Sequence, residues 1–324
     1  MSREISFKPY QRTFRCPLRT ARGEWALREG FLVRVEQNGQ VGYGEVAPIP
    51  EFGSESVEQA RAFLQQLASQ PELTVPADLP CCAFGLSAAS AFQAAPSRDY
   101  TVSALLPAGS AALGLLSGKA RAGYHSLKWK IGVEPIDQEL ALARRLIDSL
   151  SAGARLRLDA NASLSTSQLE AWLELLAKFP EQIDYIEQPL ACGQEAAMAQ
   201  YMQDSGVPIA LDESLNGDTG PRWLQPGAWA GPLVVKAPLM GDVEALASRL
   251  VGIANQVVFS SVFETGIGLE NSLQLADALP ALRRPIGFDT FSAFDDDLQP
   301  MKPSPQIRAT ERERNDPELI WNSI

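Results

Sequence analysis

The stretch SLKWKIG, residues 126–132, places two lysines, Lys128 and Lys130, at alternate positions of a predicted β-strand. Side chains two residues apart project from the same face of a strand. Two ammonium groups on one face repel each other, which lowers the pKa of such a pair and lets one lysine act as a general base near neutral pH. An isolated pair of this kind is more often a solvated feature of an edge strand, so its meaning depends on the surrounding sequence.

Strand and helix patterns alternate around this stretch from residue 100 onwards. The candidate strands, which are apolar and rich in β-branched residues, lie at 101–106, 124–131, 155–159, 183–187, 208–212, 233–236, 257–261 and 286–289. Helical spacing occurs between most of them, for example at 136–150, 167–178 and 243–253. Eight such units predict an α/β fold with a closed barrel of parallel strands. An open doubly wound sheet is the alternative, but no strand leads into a GxGxxG or P-loop sequence.

The first hundred residues have a different organisation. Strand-like runs at 7–15, 31–35 and 41–46 include the pair Asn38-Gly39, a strong hairpin signal. Helical patterns follow at 57–69 and 80–95. The sequence therefore predicts an α+β domain over residues 1–98 and a barrel domain over residues 99–291. The segment 292–324 lacks the strand–helix rhythm, and we expect it to return to the N-terminal domain.

The composition excludes several classes of protein. The chain has 324 residues with 45% hydrophobic content, enough for a large core or two domains. No apolar run approaches the roughly 20 residues needed to cross a bilayer, and residues 1–15 lack a secretory signal, so we expect a cytoplasmic protein without a membrane partner. The formal charge of −11 argues against nucleic acid as a partner. The one histidine, His125, excludes an HExxH zinc site, and the four cysteines show no metal-binding spacing.

Polar side chains end the candidate strands that follow Lys130. They are Asp159, Glu187, Asp212 and Lys236, at intervals of 24 to 29 residues, each the length of one strand–helix unit. In a barrel all of them project into one cavity at the carboxyl ends of the strands. Three carboxylates in one cavity repel each other unless a cation lies among them, and hard oxygen ligands suit Mg²⁺. We therefore expect the three carboxylates to converge on one Mg²⁺ and the lysines to lie on opposite sides of a small carboxylate substrate.

This order of residues resembles the enolase superfamily, in which an N-terminal α+β capping domain joins a (β/α)7β barrel of the TIM type. The two lysines of residues 126–132, with a further lysine on the sixth strand, are similar to the muconate lactonizing subgroup. The mandelate racemase subgroup needs a histidine on the seventh strand, and VVFSSVFETG, residues 257–266, contains none. Dipeptide epimerases usually carry Asp-x-Asp on the eighth strand, and GFDTF, residues 287–291, lacks that pair.

Other stretches resemble the o-succinylbenzoate synthases of this subgroup: WALREG at 25–30, GYGEVAPIPEFGSES at 42–56, RLRLDAN at 155–161 and SSVFETGIG at 260–268. The resemblance implies a carbon–oxygen lyase that uses Mg²⁺ for the syn dehydration of 2-succinyl-6-hydroxy-2,4-cyclohexadiene-1-carboxylate to 2-succinylbenzoate, in menaquinone or phylloquinone biosynthesis. It implies that Lys130 transfers the proton and that Lys236 stabilises the enediolate.

Further residues are expected to contact the substrate, namely Lys128, Arg157, Asn161, Ser260, Ser261 and Gly266. The loop at 19–24, with Phe52 and Gly53, is expected to close over the site. Three other reactions of the subgroup remain open, which are N-succinylamino acid racemization, cycloisomerization and dipeptide epimerization. A non-enzymatic alternative is a binding protein built on the same barrel.

Overall fold

The computed structural model describes residues 3–20, 23–91, 95–217, 219–280 and 282–324, without the side chains of 18–20, 23 and 24. It begins with an antiparallel three-stranded sheet and two helices. These elements are β1 Arg3–Thr20, β2 Gly23–Gln37, β3 Gln40–Val46, α1 Val57–Ser69 and α2 Pro80–Ser90. The predicted hairpin turns at Asn38 and Gly39, whose φ angles are 56° and 77°. Strand pairing includes Thr20 and Gly23, which the sequence predicted as loop, and the side chains of 19–24 lie outside the described residues.

The N-terminal sheet buries one face against its two helices and the barrel. Its apolar cluster includes Phe31, Val33 and Leu64, together with Leu239 and Val262 from the barrel. Because this cluster draws on both parts of the chain, packing marks no boundary between them, and the division at residues 98–99 stays a prediction.

Two caps fix the chain between β3 and α2. Ser56 and Gln59 form a capping box at the start of α1, in which each side chain accepts the other residue's backbone N–H. The carboxylate of Glu55 accepts the N–H groups of Cys81 and Cys82, at 3.0 and 2.8 Å, in the first turn of α2. These contacts hold the segment around Phe52 in place beside the barrel.

Eight parallel strand segments form the barrel. Its elements, with the short strand that precedes them, are β4 Tyr100–Thr101, β5 Ala104–Leu106, α3 Ala111–Arg121, β6 Ser126–Lys130, α4 Ile136–Asp148, β7 Arg155–Asp159, α5 Thr166–Leu176, β8 Ile183–Glu187, α6 Glu195–Ser205, β9 Ile209–Ala210, β10 Leu233–Val235, α7 Val243–Leu250, β11 Val257–Phe259 and α8 Gly266–Ala278. Strands β5 to β9 form one parallel sheet, and β10 pairs with β11.

Isolated parallel bridges close the ring. Leu211 pairs with Leu233, which joins β9 to β10. Ser260 pairs with Gly287 and Val102 pairs with Ile286, so the segment at 286–287 is the eighth member between β11 and β5. Between β9 and β10 the described residues form 3₁₀ turns, Glu213–Leu215 and Gly220–Leu224, where the sequence pattern is broken by Gly and Pro. The predicted (β/α)7β barrel with an N-terminal α+β domain is confirmed.

Alternation along the strands separates an outer core from the barrel interior. On β6, Leu127 and Trp129 point outward into the main apolar core, where Trp129 packs against Trp172 of α5 with ring centroids 6.1 Å apart. Lys128 and Lys130 therefore point inward. A small interior cluster of Tyr185, Ala210, Val234 and Val258 fills the barrel beneath the carboxyl ends of the strands.

The last part of the chain crosses both halves of the molecule. It contains β12 Gln306–Ile307, α9 Ala309–Arg312 and α10 Pro317–Asn322, and β12 pairs antiparallel with β4. Towards the N-terminal sheet, Lys8 Nζ donates to the carbonyl oxygen of Trp321 at 2.8 Å, and Arg12 forms an ion pair with Asp296 at 2.9 Å. The segment therefore links β1 to the barrel.

Candidate active site

The two lysines of β6 lie on the interior face near the carboxyl ends of the strands. In the parallel register Lys130 pairs with Asp159 and Lys128 pairs with Arg157 on β7. Asp159 in turn pairs with Glu187 of β8. Residues paired in register share a face, so Lys130, Asp159 and Glu187 form one layer and Lys128 lies one step deeper.

Lys128 neutralises two of the predicted metal ligands. Its Nζ lies 2.9 Å from Asp159 Oδ2 and 2.7 Å from Glu187 Oε1. Burial alone lowers the pKa of Lys128, but the charges of the two carboxylates outweigh burial and raise that pKa well above its ordinary value. The lowered pKa expected from repulsion within the lysine pair is therefore wrong for Lys128, which is held as an ammonium group.

The pKa values of the Asp159 and Glu187 carboxyl groups are shifted in opposite directions. Burial works against ionisation of Asp159, yet the charge of Lys128 lowers its pKa overall. Glu187 is fully buried, and burial followed by repulsion from Asp159 raises its pKa well above the ordinary value. Its Oε2 atom is buried and, within the described residues, has no hydrogen-bond partner. An unpaired buried carboxylate oxygen is costly unless a cation compensates it.

Asp212 and Lys236 form the other half of the site. The ammonium group of Lys236 contacts both carboxylate oxygens of Asp212. Lys236 follows β10, the sixth strand of the ring, whereas Lys130 ends β6, the second strand, so the two lysines belong to opposite walls. The Phe52 ring of the N-terminal domain lies 4.3 Å from Lys236 Nζ, so this aromatic residue covers the site from above, as the sequence predicted.

Each of the three predicted metal ligands contacts a lysine ammonium group. In the part of the chain that the structure describes, no three acidic, thiol or imidazole groups are grouped as ligands of one metal ion. Lys128 lies between Asp159 and Glu187, and Lys236 lies against Asp212. That these three carboxylates converge on one cation stays a prediction. The donor set itself, three carboxylates with an unpaired buried oxygen, fits a hard divalent cation.

Asn161 and Glu213 extend the cluster beyond the predicted residues. The N–H of Asn161 donates to Asp159 Oδ1 at 3.2 Å, and its side-chain amide donates to Glu213 Oε1 at 3.2 Å. Burial and the charge of Asp212 raise the pKa of Glu213 to about 7. Sequence reasoning missed Glu213, although it directly follows Asp212. Asn161 thus orients two acidic groups, and contact with a substrate stays a prediction.

Gln188 is a second residue that the sequence interpretation missed. It is fully buried directly after Glu187, and its Oε1 accepts the N–H groups of Asp212 at 3.1 Å and Ser214 at 3.2 Å. Its φ of 35° lies in the left-handed region. The side chain of Gln188 therefore ties the end of β8 to the turn that carries Asp212.

Two predicted substrate contacts are engaged elsewhere. Arg157, only 1% exposed, forms an ion pair with Asp184 at 2.9 Å and donates to the carbonyl oxygen of Pro285 at 2.8 Å, beneath the layer of Lys130 and Asp159. The N–H of Gly266 donates to the carbonyl oxygen of Leu298 at 2.7 Å. These donors bond within the protein, and contact of Arg157 or Gly266 with a substrate stays a prediction.

The two serines after β11 differ in their contacts. Ser261 Oγ lies 3.0 Å from Glu264 Oε2 and accepts the N–H of Phe263 at 2.9 Å, so it organises its own loop. Burial raises the pKa of Glu264 to about 7. Ser260 is half-buried on the interior face two residues after Val258, and its role in substrate binding stays a prediction.

An apolar side chain lies in the same layer as Lys128. Leu105 of β5 pairs in register with Lys128, so it faces the interior, yet 37% of it is exposed. Its N–H donates to Asp289 Oδ2 at 2.9 Å, and Asp289 also accepts the hydroxyl of Tyr124 at 2.9 Å. Asp289 is therefore committed to contacts with strand β5 and its surroundings and not to a substrate amine.

The fold and the charged cluster match an enolase-type barrel with its cap. The family model described as "Enolase C-terminal domain-like" matches residues 115–307. A second model, "MenC, N-terminal domain", matches residues 14–93. In the described residues no helix is long and apolar enough to cross a membrane.

Individual proteins similar to this chain point to one family among the enolase-type enzymes. An o-succinylbenzoate synthase of Thermosynechococcus vestitus is 38% identical over 80% of this chain and 84% of its own length. An o-succinylbenzoate synthase of Yersinia enterocolitica is 32% identical over 82% of this chain and 83% of its own length. The crystal structure of the Thermosynechococcus elongatus enzyme, complexed with Mg in the active site, has a TM-score of 0.83 and 32% identity over 99% of this chain and 100% of that one. The chain belongs to the enolase superfamily and, within it, to the o-succinylbenzoate synthase family.

Proposed function

We propose that this protein is a lyase that dehydrates 2-succinyl-6-hydroxy-2,4-cyclohexadiene-1-carboxylate to 2-succinylbenzoate, a step of menaquinone or phylloquinone biosynthesis. The observation that carries the proposal is the pair of lysines, Lys130 and Lys236, on opposite walls beside three carboxylates. A binding protein has no need of such a cluster, because buried like charges cost stability. The names of the similar proteins support the same reaction.

Asp159, Glu187 and Asp212 would hold the Mg²⁺ that this reaction requires. Their oxygen donors, the unpaired Oε2 of Glu187 and the Mg named for the Thermosynechococcus structure support this assignment. Bound Mg²⁺ supplies positive charge that stabilises the substrate carboxylate as it becomes more negative. Lys128 and Lys236 would then have to exchange part of their present contacts with the carboxylates.

Lys130 is assigned as the acid–base residue. Lys128 lies deeper and is fixed by two carboxylates, whereas Lys130 is half-buried one step nearer the mouth. The C–H bond next to the carboxylate breaks, the proton moves to Lys130 Nζ, and the electron pair enters the enediolate. The C–O bond to the hydroxyl then breaks on the same face, and the Lys130 ammonium returns the proton so that water leaves and the ring becomes aromatic.

Lys236 stabilises the negative charge from the opposite wall. Its ammonium group lies against Asp212 and beneath the Phe52 ring. Phe52 in turn contacts Trp25 with ring centroids 6.2 Å apart, and Leu105 provides an apolar surface on the side of Lys128. With substrate bound, these apolar side chains would limit the access of water to the reacting carbon, which would strengthen the electrostatic contribution of the lysine.

The substrate is a small carboxylate, and no nucleic acid or membrane partner belongs to this proposal. The net charge of −11 disfavours binding to polyanions. We place the protein in the cytoplasm.

The direct experiment is to assay the purified protein with the cyclohexadiene substrate, with Mg²⁺ and with a chelator. We expect formation of 2-succinylbenzoate that depends on Mg²⁺ and is lost in Lys130→Ala. Glu174→Gln, at an exposed position on α5, is the control and should keep full activity. Product formation that is unaffected by Lys130→Ala would contradict the assigned role.

A second candidate activity is N-succinylamino acid racemization at the same site. The two lysines on opposite walls favour it, since racemization needs a proton donor or acceptor on each face of the carbon. Dipeptide epimerization has less support, because Asp289 is bonded to Tyr124 and the backbone of Leu105.

A further inference from the structure

A second cavity opens at the amino-terminal ends of the barrel strands, opposite the candidate active site. Its volume is about 670 Å³, within the range of small-molecule pockets. Ser126 begins β6, Arg155 begins β7 and Pro232 precedes β10, and all three line this cavity. The proposed reaction uses none of these residues, and in barrels of this kind this end is not the catalytic end.

Three guanidinium groups belong to the lining of this cavity. Arg155, Arg283 and Arg284 line it, and Asp184 is the one acidic residue among the lining residues. Asp184 is already neutralised twice, by Arg284 and by Arg157 Nε at 2.9 Å. Three arginines therefore line the cavity, and its one carboxylate is paired with Arg284 and with Arg157 behind the wall.

One arginine of the wall, Arg283, and one arginine behind the wall, Arg157, have nitrogen atoms to consider as donors. Arg157 is 1% exposed, and its Nη2 atom is buried without a hydrogen-bond partner in the described residues. Its two other guanidinium nitrogens bond to Asp184 and Pro285, both of which line the cavity. Arg283 is exposed and forms no ion pair with the described part of the chain. A buried unpaired guanidinium nitrogen is costly unless an acceptor reaches it.

We propose that this cavity binds a small phosphate-bearing molecule. A phosphate group offers three terminal oxygens and up to two charges, which matches several guanidinium groups around one cavity better than a single carboxylate does. Arg155 contributes charge while its Nη2 donates to the carbonyl oxygen of Pro180 at 3.2 Å, and Arg283 supplies an exposed donor. The alternative is that these arginines only join the ends of neighbouring strands.

The test is isothermal titration calorimetry with inorganic phosphate as the probe and malonate as the carboxylate comparison. We expect one phosphate per chain, bound more tightly than malonate and more weakly at high ionic strength. Arg283→Ala should weaken phosphate binding about tenfold to hundredfold, the loss expected for one charge-assisted contact. Arg249→Ala, at an exposed position on α7, is the matched control and should bind as the unmodified protein does.

Arg283 is exposed and outside the proposed catalytic machinery, so both variants should fold and keep full dehydration activity. Charge reversal in Arg283→Glu should abolish phosphate binding. The proposal is overturned if phosphate does not bind, if malonate binds more tightly, or if Arg283→Ala and Arg249→Ala weaken binding equally. These outcomes do not depend on the dehydratase assignment, which is tested at the other end of the barrel.

Discussion

Replacing Lys128 by methionine removes the ammonium group between Asp159 and Glu187 while keeping an unbranched side chain. The Nζ atom lies 2.9 and 2.7 Å from the two carboxylates, and its side chain is 14% exposed. Removing one partner of a buried ion pair typically costs about 3–5 kcal/mol, because the remaining charges are left uncompensated. Glu187 already has a raised pKa, so it can take up a proton and limit the loss. We therefore expect the unfolding free energy to fall by about 3 kcal/mol, the lower end of this range, in the absence of divalent cations.

Mg²⁺ should reverse much of this loss, because it supplies the missing positive charge. At a free concentration about 100 times its dissociation constant, a ligand that binds only the folded state adds about 2.7 kcal/mol to the unfolding free energy. The assay is urea denaturation followed by tryptophan fluorescence, with and without Mg²⁺. Lys178→Met is the control, since Lys178 forms an exposed pair with Glu174 at 3.2 Å and should change stability by less than about 0.5 kcal/mol. A loss under about 1 kcal/mol, or no greater stabilisation by Mg²⁺ in the variant than in the unmodified protein, would refute the reasoning.

The remaining predictions address catalysis, pH and the end of the chain. Lys130→Arg should lower kcat for dehydration by about 10²–10⁴-fold, because arginine stays protonated and cannot accept the proton. Lys236→Arg keeps the positive charge and should retain more activity. Steady-state kinetics with both variants checks this difference. Burial raises the pKa of Glu264 from 4.5 to about 7, so between these pH values the unfolded state has lost the proton that the folded state keeps. The unfolding free energy should therefore fall as the pH rises from 4.5 to 7. Glu264→Gln should flatten this part of the pH profile in urea titrations, and an unchanged slope would oppose the assignment. Truncation before Met301 removes the contact of Lys8 with Trp321 and should lower the urea midpoint; an unchanged midpoint would mean that the segment does not brace the N-terminal sheet.

The barrel was predictable because its strands are short apolar runs that end in polar residues. The strands at 155–159 and 183–187 have the predicted bounds, since a charged residue closes each run at the carboxyl end. The eighth segment was predicted at 286–289, but only Ile286 and Gly287 form bridges. Isolated bridges form where neighbouring strands supply a partner, and the local sequence carries no information about those neighbours.

The site was less predictable than the barrel, because depth along a strand is not encoded by alternation. Arg157 and Asp159 share a face, yet Arg157 lies one layer deeper and pairs with Asp184. Leu105 shares the face of Lys128 through a strand register that only the folded sheet reveals, so sequence alternation alone did not identify it. The pKa of Lys128 is raised where the sequence predicted that it would be lowered, because its carboxylate partners come from the next two strands.

The most direct measurement of the central claim compares two reactions of the unmodified protein in D₂O. One is turnover of the cyclohexadiene carboxylate, and the other is exchange of the α-proton of each enantiomer of an N-succinylamino acid. If dehydration through Lys130 is the main activity, turnover of the cyclohexadiene should be fast and exchange slow for at least one enantiomer. Rapid exchange of both enantiomers together with slow dehydration would contradict the account and make racemization the main activity.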